Sequence, residues 1–149
     1  MPSPKVPSAK LLARRAVKVV MNRAALDEIS LATVDGLLEM TREVMADAMS
    51  RAPRDPETAE RRGVPMMADT GTVGAWAGGK KVGGDMTRKP RGVKNDLVVV
   101  GAFASPVAHL IEGGTIKMTA RPFLTPALLA TLPDARGFVR AACIKRGVG

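Results

Sequence analysis

The strongest structural signal in the sequence is a long amphipathic helix. Apolar side chains recur at steps of three and four residues from Ala25 to Met49, which places them on one face of a helix. Asn22 stands before this segment and suits the N-cap position, where a short polar side chain accepts a hydrogen bond from a free amide. Ala52-Pro53 should end the helix, because proline disfavours helical backbone in the residue before it. The apolar face of so long a helix must pack against another extended apolar surface of the fold.

That surface is expected to be a small sheet. Residues 97–103 have the β-branched and aromatic character of a strand, residues 72–77 form a weaker candidate, and residues 16–21 a third. The segment 97–103 is apolar on both faces, and the sequence does not say which face meets the helix. An antiparallel sheet in so small a domain usually leaves one face to water, so a second apolar face predicts a contact with a neighbouring subunit. Val98 and Val100 are therefore candidate interface residues.

Two further helices are expected after the sheet. Ser105-Pro106 and Thr125-Pro126 each place a hydroxyl side chain before a proline, a pattern typical of a helix N-terminus. Pro133 should kink or restart the second of these helices. Residues 53–68, with their prolines and charges, are expected to be loop. The predicted fold class is α+β: a long N-terminal helix packed on a small antiparallel β-sheet, with a short helix and a C-terminal helix.

Composition and charge suggest how the chain is organised. Residues 1–15 should form a flexible basic arm, and residues 16–149 a single domain with a flexible loop at 78–95, which is rich in glycine and basic residues. The net charge is +9, and part of it lies in this loop opposite the single acid Asp85. The basic residues of the loop are candidates for contacts with DNA or an acidic partner, although basic loops are as often simply solvated. They are Lys80, Lys81, Arg88, Lys89, Arg91 and Lys94.

Neither a membrane span nor a secretory signal is expected. No segment approaches the run of about 20 apolar residues that crosses a bilayer. The N-terminal residues carry scattered positive charges without a continuous apolar stretch. Cys143 is the single cysteine, which excludes an internal disulfide and fits a reducing compartment.

Three motifs suggest enzymatic chemistry, and each has a simpler interpretation. Asp69 opens the Asp-Thr-Gly triplet of aspartic proteases, but a fold built on the long helix is unlike those nearly all-β enzymes, and a turn before a strand explains the triplet. Residues 74–80 nearly match a phosphate-binding loop, but Lys81 stands where a magnesium-binding hydroxyl is needed. His109 and Glu112 could share a metal ion, yet the sequence offers too few further ligands. We expect no enzyme activity, no metal and no cofactor.

The C-terminal third carries a pattern that is more informative. It consists of VVVG at residues 98–101, AHLIEGGT at 108–115 and ARPFLTPAL at 120–128. In this order the three segments resemble a family of neck, or tail-component, proteins of long-tailed bacteriophages. Those proteins take part in head–tail joining and tail completion. The resemblance adds Glu112 to the candidate interface residues, together with the rigid anchor formed by Arg121, Pro122 and Phe123. The ring of Phe123 could equally fill the core of its own subunit.

The resemblance implies structural work in a virion. Such a protein would form a ring of identical subunits, usually six-fold, at the head–tail junction. Its other partners would be a head-closure or adaptor protein and a tail terminator or tail tube protein, with genomic DNA passing through the lumen. The ring would assemble in the cytoplasm of the host bacterium. Two alternatives remain open: a tail terminator that caps the tail tube, and a small basic nucleic-acid-binding protein that uses residues 1–23 and 80–94.

Overall fold

The computed structural model describes residues 22–92 and 96–148. Its helices are α1 (Arg23–Arg51), α2 (Pro56–Arg62), α3 (Ala108–Gly113), α4 (Leu124–Thr131) and α5 (Ala135–Arg146). Its strands are β1 (Gly71–Ala77), β2 (Lys80–Gly84) and β3 (Leu97–Phe103), and short 3₁₀ turns span Met67–Asp69 and Leu132–Asp134. The predicted α+β class is confirmed. The expected arm at 1–15, the expected strand at 16–21 and Lys94 lie outside the described residues.

Helix α1 is the predicted long helix, and its ends lie where the sequence places them. The side chain of Asn22 accepts a hydrogen bond from the backbone N–H of Ala24 at 3.1 Å. At the other end Ala52 turns to extended backbone before Pro53. Among the helices of the described part of the chain, none combines the length and the apolar character that a membrane span requires.

The sheet is antiparallel, with strand order β2-β1-β3, and α1 covers one of its faces. Val73 and Ala75 of β1 point to this face and pack with Val34 and Leu38 of α1. Helix and sheet come close because Gly101 has no side chain: a Cβ there would lie 2.8 Å from the Cγ of Met45. The layer between α1 and the sheet is therefore one core cluster of the domain, and a second lies where Phe123 and Ala127 pack on α1.

The opposite face of the sheet is partly covered by its own chain. Trp76 is only 3% exposed, and its ring lies across Gly74, next to Met86. Val98 pairs with Trp76 in the register and is buried as well. The expectation that Val98 is available to another subunit is therefore wrong, because a tryptophan of the same sheet stands beside it. Val100 is half-buried on this face.

Part of the expected loop 78–95 is a strand. Gly78 and Gly79 both have positive φ, as the two central residues of a tight hairpin turn require, and β2 pairs with β1 directly after them. The carboxylate of Asp85 accepts the N–H of Val73 at 2.7 Å and so continues the pairing beyond β2. Residues 80–84 of the expected flexible loop are thus a strand.

A second unpredicted element is α2, in the expected loop 53–68. Asp55 caps it by accepting the N–H of Thr58 at 3.0 Å, Pro56 occupies its first turn, and Gly63 ends it with a φ of +63°. No residue of α2 is buried. This helix therefore lies on the domain without joining its core.

The chain restarts after Pro133, as predicted, and α5 returns along α1. The two helices touch at Gly36, where a Cβ would lie 2.6 Å from the Cα of Val139. Near the end of α5, Arg146 donates to Asp35 at 2.6 Å and to Glu28 at 3.2 Å. This contact joins the last described helix to the first half of α1.

Candidate functional site

Glu112 joins α3 to α4, the first two helices after the sheet. It belongs to α3, and its carboxylate accepts the backbone N–H groups of Phe123, Leu124 and Thr125 at 2.8, 3.0 and 2.8 Å. These are free amides at the start of α4, where Pro126 has no N–H. The carboxylate therefore caps α4 from another helix and complements the positive end of its dipole. Glu112 was a candidate interface residue, and the structure gives its carboxylate this contact within the subunit.

The contacts of Glu112 alter its acidity. Burial alone would raise the pKa of the carboxyl group. The hydrogen bonds from the Thr125 side chain and from the backbone of residues 123–125 outweigh that effect and lower the pKa from 4.5 to about 2. Glu112 is thus a charged cap at any pH near neutrality.

The hydroxyl caps predicted from sequence are not formed. Helix α3 begins at Ala108 with no side-chain cap, and Ser105 contributes only its carbonyl, which accepts the N–H of Ala108 at 3.3 Å. Helix α4 begins at Leu124, so Thr125 lies inside its first turn. A carboxylate already holds the free amides there, and a hydroxyl cap is not needed.

Phe123 fills the core of its own subunit. It is 2% exposed and packs among Val44, Ala48 and Ala127. Its ring meets Phe103 edge-to-face, with centroids 5.1 Å apart. Of the two interpretations of Phe123, the structure supports the core residue and excludes the exposed anchor. The Glu112 contact explains the placement, because it fixes the backbone from which this ring points inward.

The neighbouring candidates Arg121 and Pro122 are exposed. The N–H of Arg121 donates to the carbonyl of Ile111 at 2.8 Å, so this stretch runs back along α3. The residues between form a closed turn in which Thr115 and Met118 exchange backbone hydrogen bonds of 2.8 and 3.2 Å. The segments 98–101, 108–115 and 120–128, which carry the resemblance to phage neck proteins, are thus connected in the structure. The end of β3 packs on Phe123, and α3 caps α4.

The basic candidates lie at one edge of the sheet and just beyond it. Lys80 and Lys81 are exposed on β2, an edge strand. Arg88 and Arg91 follow in exposed coil, and Lys89 between them is half-buried. A charged edge strand resists pairing with other strands, which is a sufficient structural reason for the two lysines.

The residues that suggested enzymatic chemistry have ordinary structural surroundings. Asp69 ends a 3₁₀ turn before β1, and its half-exposed carboxylate pairs with Arg54 at 3.2 Å. Residues 74–80 form a strand and a hairpin turn instead of a loop before a helix. His109 is exposed, while Glu112 accepts three amides. The described ranges contain no group of three or more His, Cys, Asp or Glu side chains that could hold a metal ion.

An apolar groove that the sequence did not suggest lies beside α2. Its volume is about 470 Å³, and it separates α2 from the segment that links β3 to α3. Thr58, Ala59 and Arg62 form the α2 wall, and Asp55 stands at its N-terminal end. The apolar part of the lining includes Pro53, Val64, Pro65, Met66, Val107 and Ile111. The signal that could have revealed it is the Asp-Pro start and glycine end of α2, which predict a helix where we expected loop.

Comparison of the chain with protein-family models, with curated proteins and with solved structures finds no match to any of them.

Proposed function

We propose that this protein is a structural subunit of a ring at the head–tail junction of a long-tailed bacteriophage. In this role it joins the head-closure complex to the tail and lets DNA pass. The ring, usually six-fold in the proteins it resembles, is formed by copies of this chain, and it assembles in the host cytoplasm. The function requires no catalysis.

One observation supports the proposal most: two residues of the pattern that resembles phage neck proteins stabilise the fold of the subunit. Glu112 caps α4 through three backbone amides, and Phe123 then enters the core beside Phe103. A capping carboxylate and a core aromatic ring give a subunit a fixed shape. A protein that holds two partners in a defined arrangement requires such a shape. This supports a scaffold within a larger assembly.

Deletion of the gene from its phage tests the proposal. Because a junction needs every ring in series, the lysate should contain DNA-filled heads and separate tails of normal length. Electron microscopy of negatively stained particles measures this, and supplying the gene in trans should restore joined virions. Tails of abnormal length would favour a tail terminator, since an uncapped tube continues to grow. Normal virions would refute both roles.

A second candidate is nucleic-acid binding, and the exposed charges at the β2 edge favour it. Lys80, Lys81, Arg88 and Arg91 lie close in sequence and reach solvent. Filter binding with a salt titration tests it. Contact through phosphates alone should weaken steeply as salt rises, whereas sequence-specific binding persists at moderate salt. Replacing the four residues by glutamine should weaken the binding and lower its dependence on salt, and the same change at Arg136 and Arg140 of α5 provides a control.

A further inference from the structure

A fully exposed isoleucine stands at the tip of the turn between α3 and α4. None of the described residues of the same subunit covers Ile116. The turn that carries it is held by the paired Thr115 and Met118, and the N–H of Lys117 donates to the Thr115 hydroxyl at 3.3 Å. At the base of the turn, Gly114 approaches Ala120 so closely that a Cβ would lie 2.7 Å from its backbone nitrogen. The isoleucine is thus presented on a closed turn.

The same molecule carries an apolar groove. Helix α2 forms one wall of this groove, and none of its own residues is buried. Val64 and Val107 in the groove lining are each about half exposed, at 51% and 43%. A large apolar concavity next to such a helix is typical of a surface that is completed by a partner.

We infer that the turn 115–118 of one copy docks in the α2 groove of a second copy, with Ile116 on the apolar floor. The two surfaces are different patches of one chain, so each copy offers both a turn and a groove. A contact of this kind repeats from copy to copy and closes into a ring when the rotation allows. The inference assigns the contact between neighbouring subunits of the proposed ring. It rests on the proposed function only in that the repeated contact is taken to close into a ring.

The charged residues determine the orientation of the docked turn in the groove. Lys117 is next to Ile116, and no acid lies between Thr115 and Arg121. The α2 wall has Asp55 at one end and Arg62 at the other, so the lysine should lie toward Asp55. The cap that Asp55 makes with Thr58 lowers the pKa of this carboxyl group, which keeps it negative.

Cross-linking between two differently tagged copies tests the contact. In a Cys143→Ser background, Ile116→Cys in one copy should form a disulfide with Val107→Cys in the other. The matched control pairs Ile116→Cys with Leu129→Cys, a more exposed position on α4 that lies outside the groove. Cross-linking of the groove pair alone supports the inference. Equal cross-linking of both pairs, or none in a preparation that sedimentation shows to be oligomeric, overturns it and leaves the ring proposal standing.

Self-association of point variants provides an independent measurement. Ile116→Asp should weaken it by roughly 10- to 100-fold, the effect of losing one buried isoleucine, while thermal unfolding of the monomer stays unchanged. Lys117→Glu should weaken it too, and Ile144→Asp on the exposed face of α5 should not. Unchanged association of Ile116→Asp overturns the docking, as does a wild-type protein that stays monomeric. Whether the ring proposal also fails is then decided by the gene deletion.

Discussion

Glu112 stabilises the C-terminal part of the domain from a position outside the helix that it caps. Its three hydrogen bonds involve a charged acceptor, and such bonds are stronger than those between neutral groups. Glu112→Gln keeps the shape but replaces one acceptor oxygen by a donor that faces amides. We expect the free energy of unfolding to fall by about 2 kcal/mol. Urea denaturation measures it, and Glu43→Gln on the exposed side of α1 should have little effect.

The same carboxylate predicts a pH dependence. Because folding lowers the pKa of Glu112 from 4.5 to about 2, its contribution to stability is fully present above pH 4.5. It is lost as the pH falls from 4.5 toward 2, since the unfolded chain takes up the proton first. The difference in urea midpoint between wild type and Glu112→Gln should therefore shrink over this window. A difference that stays constant down to about pH 2 would contradict the assigned hydrogen bonds.

Replacement by alanine should lower the stability of the domain at Gly36 and raise it at Gly137. At Gly36 a Cβ would meet the backbone of Val139 at 2.6 Å, so Gly36→Ala must push α5 away from α1 and should cost about 2 kcal/mol. At Gly137 an added Cβ would meet no described atom within 4 Å apart from the adjacent backbone of α5, and alanine should stabilise α5 by up to about 1 kcal/mol. Thermal unfolding of the two variants compares them directly. Stabilisation by Gly36→Ala would show that the helices do not touch there.

At the scale of whole elements, the two faces of β3 can now be told apart. Val99 is also only partly buried, but it packs against the core between the sheet and α1, so Val99→Lys places a charge against apolar side chains and should cost about 3 kcal/mol. Val100 lies half-buried on the other face, from which a lysine can extend to water. Val100→Lys should therefore fold and, if this face meets a neighbour, fail to join heads to tails. Thermal unfolding and electron microscopy measure the two effects. Unfolding of both variants would mean that the subunit covers both faces itself.

Some elements follow from local pattern and others do not. The periodic spacing along Ala25–Met49 predicts α1, because apolar residues recur every three or four positions on the buried face of a helix. The apolar run at 97–103 predicts β3, because its length and β-branched residues are typical of a strand. The sequence also contains the local signals for β2 and α2, a Gly-Gly turn and an Asp-Pro start. The composition of the two segments predicts loop instead, because residues 78–95 are rich in glycine and basic residues and residues 53–68 are rich in proline and charge. Turn chemistry was the better guide there.

For the whole molecule, the sequence could suggest site residues but not their surroundings. A buried core residue and an interface residue are both apolar, so Phe123 could not be assigned before the position of Phe103 was known. The cap formed by Glu112 reaches eleven to thirteen residues along the chain, farther than any local capping pattern. The α2 groove is formed by residues that precede β1 and residues that follow β3, so the local signals of α2 predict the helix but not the second wall of the groove.

The contact between α5 and α1 has a consequence for biosynthesis. Arg146 reaches Glu28 across 118 positions of the chain, and α5 leaves the ribosome after every other described element. While the chain is nascent, the part of α1 around Gly36 has no helix to pack against. Contacts so distant in sequence form slowly, and apolar surface left open meanwhile attracts other chains. A messenger truncated before α5 should therefore yield an aggregation-prone polypeptide, even though the sheet and its connections are already complete.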